Sequence, residues 1–180
     1  MAGAGNRRVP PFTAVAVALP LLLALVVAGL GIHTRLTAGP DTGPISLPAV
    51  AAPQAATPAC RAVLDALPAE LPGDPPMVGR EQAPDTPGAL VWAAEPEPVV
   101  LRCGTERPAE LGPTSPLIVV NGVNWLPLTG APDARSDTYA VVDREVYLEL
   151  SAPTETGPGP LQAVADAVGA TLPGQPVQVR

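Results

Sequence analysis

The chain contains no lysine and one histidine, and aromatic residues make up only 3% of it. The lone histidine, His33, borders an apolar run near the amino terminus. A histidine-assisted serine or cysteine nucleophile is therefore not available to the residues that follow. Two cysteines, Cys60 and Cys103, lie far apart with no histidine nearby, so they cannot fill a tetrahedral zinc site. No glycine-rich phosphate loop occurs. No cysteine precedes Cys60, which excludes a lipoprotein anchor. Catalytic, cofactor-binding and metal-binding residues are accordingly expected to be absent. The remaining acidic candidates are ordinary ones. Glu95 with Glu97, and Asp143 with Glu145, read as solvated acids at hairpin ends. Asp133, Asp137 and Asp143 carry oxygens suited to calcium but approach no EF-hand register.

What the sequence does have is an apolar run, residues 11–32, 22 residues without a charge. As a helix it would span ~33 Å, enough for a hydrocarbon core of ~30 Å. Arg7 and Arg8 precede it, which predicts a cytoplasmic amino terminus (residues 1–10) and an extracytoplasmic remainder. Pro20 is compatible with a membrane helix. An uncleaved anchor is the leading reading. A cleaved signal peptide, giving a secreted protein, and a buried soluble helix are the alternatives.

Beyond Arg35 there are 7 arginines against all 17 acidic residues, so this part carries 7 − 17 = −10. Such a balance repels nucleic acid and offers no basic footprint for it. The expected partners are instead the lipid bilayer, through residues 11–32, and an envelope protein or glycan. On the exported side Cys60 and Cys103 have one intramolecular pairing open to them, and a disulfide is expected. Closing that loop would stabilise the fold by ~4 kcal/mol on a chain-entropy basis.

Residues 33–57 are rich in proline and alanine and read as a flexible stalk; residues 58–180 read as the folded domain. Thr57 caps a helix predicted over 58–67, with Pro58 in its first turn. Leu67-Pro68 and Leu71-Pro72-Gly73 end it, and the following segment to Gly88 is expected to form a long loop. Three hairpins follow: 89–94 with 99–103, 117–120 with 123–126 across Asn121-Gly122, and 138–142 with 145–150 across Asp143-Arg144. They predict an antiparallel meander of about six strands with one wet face. A second helix is predicted over 161–168. Its segment 163–174 matches 62–73 at 8 of 12 positions. Two similar helix ends explain this more simply than a true repeat. The expected fold is α+β, an antiparallel sheet covered on one face by two helices.

Trp92 and Trp125 carry most of the aromatic mass. As core residues they would anchor helix against sheet. Facing outward, together with Asn124, they would mark a partner surface.

The segments Cys60-Arg61-Ala62-Val63-Leu64, Leu101-Arg102-Cys103-Gly104 and Gly122-Val123-Asn124-Trp125 resemble the actinobacterial "domain of unknown function 3515" family. The resemblance runs from about Cys60 to Pro173. It implies a membrane-anchored envelope protein without assigned activity. Family members often carry aspartate before the tryptophan, where this chain has Asn124. They also carry a basic pair in the loop matching 79–88, where this chain has only Arg80. A noncatalytic binding or assembly module is the expected function. A hydrolase or transferase using two converging carboxyls, and a purely structural role, are the alternatives.

Overall fold

The computed structural model describes residues 21, 23–30, 43–130 and 134–179. Two compact units are present, 1–42 and 43–180. In the first, residues 23–30 are helical. Leu23, Leu25, Val26, Val27 and Leu30 stand exposed on that helix. Most of the predicted membrane segment, including 11–20, lies outside the described residues. Among the described residues no helix is long and apolar enough to cross a membrane.

The second unit is α+β. Helix α1 (Pro58–Ala66) begins where the Thr57 hydroxyl accepts from the Cys60 N–H at 3.4 Å, with Pro58 in the first turn. It stops at an extended Leu67, because the residue before Pro68 is pushed out of the helical region. Helix α2 (Gly159–Thr171) runs on to an extended Leu172, again just before a proline. The aligned tails of the sequence echo therefore take different structures. Pro68 ends α1 where Gly169 lets α2 continue, and Leu71 falls in a strand while Leu172 caps a helix.

Eight strands form one sheet, not about six: β1 (Glu70–Leu71), β2 (Met77–Arg80), β3 (Ala89–Trp92), β4 (Val99–Thr105), β5 (Ile118–Val120), β6 (Val123–Leu128), β7 (Ser136–Val141) and β8 (Tyr147–Pro153). The two extra strands arise where no strand is expected, β1 in the segment read as the helix end and β2 in the expected long loop. There Leu71 and Met77 pair and are buried, giving that proline-rich segment an apolar foothold. The order is β1-β2-β3-β4-β8-β7-β6-β5. A simple meander is thus corrected: β4 pairs with β8, and the chain between them returns as a second run of hairpins. Inward residues dictate this pairing, since Leu101 opposes Leu150 and Cys103 opposes Leu148, all fully buried.

The three hairpins fare differently. Trp92 pairs with Val99 across the first connection, and Val120 with Val123 across the second. Asn121 (φ 48°) and Gly122 (φ 79°) are both left-handed, the geometry that a two-residue type I′ turn needs. The third hairpin closes at Val141 and Leu148, so its connection is longer than Asp143-Arg144. The two residues turn inward instead of sitting at a solvated tip.

Both helices lie on one face, as expected. Val63 of α1 and Val164, Ala165 and Val168 of α2 share a core with Trp92, Leu101, Trp125, Leu148 and Leu150. Cys60 and Cys103 form the expected disulfide inside that core, Cα to Cα 5.5 Å. The opposite face is drier than a one-sided sheet implies. Leu126, Ala140 and Val142 meet Leu111 from the β4–β5 loop and Val177 from the carboxyl-terminal tail. Arg107 ties that loop to the tail, donating from Nη2 to Leu111 O at 2.5 Å and to Gln178 O at 3.4 Å.

From Gly43 onward the expected stalk is not free. Ile45 bridges to Gln82 in parallel, Arg102 donates to Pro48 O at 3.0 Å, and Gln54 N donates to Gly104 O at 3.1 Å. Gly104 (φ 81°) allows this approach, because a Cβ there would sit 2.3 Å from Ala55 N. Residues 33–42 of the expected stalk lie outside the described residues.

Candidate functional site

Two polar constellations stand apart from ordinary surface. The first is buried. Asp143 is 3% and Arg144 9% exposed. Arg144 Nη1 lies 2.8 Å from Asp143 Oδ2, which also accepts from the Asn124 N–H at 3.0 Å and from Asn124 Nδ2 at 2.7 Å. Arg144 Nη1 donates to Asp143 O at 3.0 Å and Nη2 to Gly122 O at 3.4 Å. The tail is pinned to the same place, since Gln175 N donates to Asp143 O at 2.8 Å. Buried charges persist when paired and hydrogen-bonded. This cluster therefore joins the β5–β6 turn, the β7–β8 connection and the tail. Most of its hydrogen bonds join these segments to one another, although Asp143 Oδ1 and Arg144 Nε are buried without a hydrogen-bond partner among the described residues.

Asn124 thus belongs to an internal network. The outward reading of the tryptophans is corrected as well: Trp92 is 2% and Trp125 0% exposed. Trp92 Nε1 donates to Pro68 O at 3.2 Å, so its polar edge is used internally. Alternation in β6 explains the placement, because Val123 and Trp125 face the helices while Asn124 and Leu126 face the other side. Solvated-acid readings hold for Glu95, Glu97 and Glu145, which are exposed. They fail for Asp143, whose burial has no local sequence signal beyond the arginine beside it.

The second constellation is a hollow of about 210 Å³ on the helix-covered face, where β7 and β8 run past the start of α2. Its polar lining is Asp137, Tyr139, Thr154 and Thr156. Its walls are Leu150, Ala152, Pro153, Pro158 and Leu161. Asp137 and Tyr139 reach it because residues two apart on β7 share a face. Burial, and then the Asp137 carboxylate, push the Tyr139 phenol above its ordinary range. Among the described residues the ion pair that forms is Arg144 with Asp143, so the Asp137 carboxylate has no cationic partner. Thr156 Oγ1 donates to Pro153 O at 2.7 Å and Thr154 Oγ1 to Arg135 O at 3.3 Å. Each hydroxyl proton is engaged, leaving lone pairs. With the Asp137 carboxylate, the side chains of the hollow present mainly acceptors, and the Tyr139 hydroxyl is the donor among them.

The carboxyl-pair chemistry considered from the sequence needs two acids converging, and this lining supplies one, Asp137. The calcium candidates are not brought together: Asp137 lines the hollow, Asp143 is held by Asn124 and Arg144, and Asp133 lies outside the described residues. Among the described residues no group of three or more potential metal ligands forms. A further acid, Glu149, sits on the opposite face across from Arg102. Burial holds its carboxyl above the usual range, Arg102 opposes this, and Glu110 adds to it.

No curated protein and no solved structure matches the chain. A match does come from the family described as "Protein of unknown function (DUF3515)", over residues 15–177. That span takes in the disulfide, the Asn124–Asp143–Arg144 cluster and the whole lining of the hollow. The chain belongs to this family.

Proposed function

We propose that this protein is a noncatalytic binding module of the cell envelope. Residues 11–32 hold it in the cytoplasmic membrane with residues 1–10 inside, and the disulfide-linked domain faces out. The exposed leucines and valines of helix 23–30 support an apolar surrounding for that segment. The −10 balance beyond Arg35 supports a partner other than nucleic acid. The hollow beside Tyr139 receives a group from an envelope protein or glycan.

The observation that carries this reading is the contrast between the two polar constellations. The Asp143–Arg144 cluster is closed off from solvent and ties three segments together, whereas the hollow is open and holds an exposed carboxylate without a cationic partner among the described residues. An exposed concavity with unspent acceptors is a place for a ligand. The test is capture from solubilised envelope membranes by the full chain in lipid nanodiscs, beside Thr156→Trp, which fills the hollow. A component retained by the wild type, lost from the variant and released chemically unchanged is the expected result. Equal retention by both, or release of an altered product, contradicts it.

A further inference from the structure

We propose that the hollow binds a primary ammonium group carried on a short aliphatic chain. This inference rests on the reading of the hollow as the ligand site and names the chemistry of its occupant.

The polar lining selects a donor. Asp137 offers a carboxylate, and Thr154 and Thr156 offer only lone pairs, because their hydroxyl protons go to Arg135 O and Pro153 O. An ammonium has three donors and no acceptor, so it is complementary to such a surface. Tyr139 lines the hollow beside the same carboxylate and brings an aromatic ring, a group that attracts cations. Charge supports the sign: among the described residues no basic side chain lines the hollow, and the sequence beyond Arg35 is acidic by 10 charges. A phosphate or carboxylate ligand would meet repulsion from Asp137, with the Tyr139 hydroxyl as the side-chain donor left to it.

The apolar walls select the carrier. Pro158 and Leu161 suit methylene groups better than the hydroxyl-studded faces of a sugar. Size agrees, since about 210 Å³ falls below the roughly 300–1,000 Å³ of pockets for whole small molecules. One side chain or one amine-bearing arm fits.

The test uses isotope-labelled full chain in nanodiscs, titrated with n-butylammonium, n-butanol, n-butyrate and glucosamine while backbone and Tyr139 resonances are followed. n-Butylammonium is expected to shift the signals of Asp137, Tyr139 and Thr156, and Asp137→Asn to weaken that binding at least about tenfold. Asp137 is exposed, so the variant should keep the wild-type spectrum elsewhere. Equal or tighter binding of n-butanol, n-butyrate or glucosamine overturns the ammonium inference while leaving the hollow as a ligand site. No shift at the hollow with any probe overturns both.

Discussion

Asp143 Oδ2 accepts from Asn124 twice, from its backbone N–H at 3.0 Å and from its side-chain amide at 2.7 Å. One oxygen thus fixes both the position and the orientation of Asn124. The residue before Trp125 must therefore be a donor as this chain is built. Asn124→Asp would place a second carboxylate against the first. It is expected to destabilise the domain by about 2 kcal/mol at neutral pH, the loss of a hydrogen bond to a charged group. The deficit should narrow in acid, where the introduced carboxyl, once protonated, can donate again. Urea unfolding of both proteins at neutral and acidic pH measures this, and equal stability at neutral pH would show that the amide bond contributes nothing.

Removing the cation from the same cluster should cost more. Arg144→Met leaves the Asp143 carboxylate buried without its counter-charge, a change worth about 3–5 kcal/mol. Asp143→Asn added to that variant should recover part of the loss, since the uncharged amide needs no cation. A double variant no more stable than Arg144→Met would place the loss in packing.

The disulfide sits in the helix-facing core, so both cysteines must be replaced together to avoid a buried free thiol. Cys60→Ala with Cys103→Ala is expected to lower stability by about 4 kcal/mol on loop-closure grounds. Thermal unfolding checks this, and a variant melting with the wild type would remove the bridge from the list of what holds the domain together.

Glu149 gives a pH signature. Its carboxyl is raised in the folded state chiefly by burial. A raised folded value means that its favourable contribution is complete below the unfolded carboxylate range and fades as pH rises through the folded value. Glu149→Gln should therefore melt above the wild type near neutral pH, with the gap closing in acid. A variant melting lower at neutral pH would mean that attraction to Arg102 outweighs burial.

Local signals carried much of the fold and little of the site. Thr57-Pro58 announced α1, Asn121-Gly122 announced a hairpin, and Leu148 and Leu150, with Val146 just ahead of the strand, announced the buried side of β8. Each signal lies within a few residues of its consequence. The β4–β8 pairing did not show, because it joins strands separated by the β5–β7 hairpins and depends on which inward faces match. Strands β1 and β2 were hidden in a proline-rich stretch whose pairing needs Leu71 against Met77. Asp143 looked like a turn acid because its partners, Asn124 and the tail at Gln175, are distant in sequence. The hollow was equally invisible. Asp137 and Tyr139 come from β7 and the threonines from the turn after β8, and only the sheet brings them together.

The most direct test of a ligand-binding hollow displayed outside the membrane is photo-crosslinking in intact cells from the full chain. A photoreactive residue replaces Thr156 in the hollow and, as control, Glu145 at the β7–β8 connection. An adduct with an extracytoplasmic envelope component from position 156, absent from position 145, is the predicted result. Adducts with cytoplasmic components, or the same products from both positions, would contradict it.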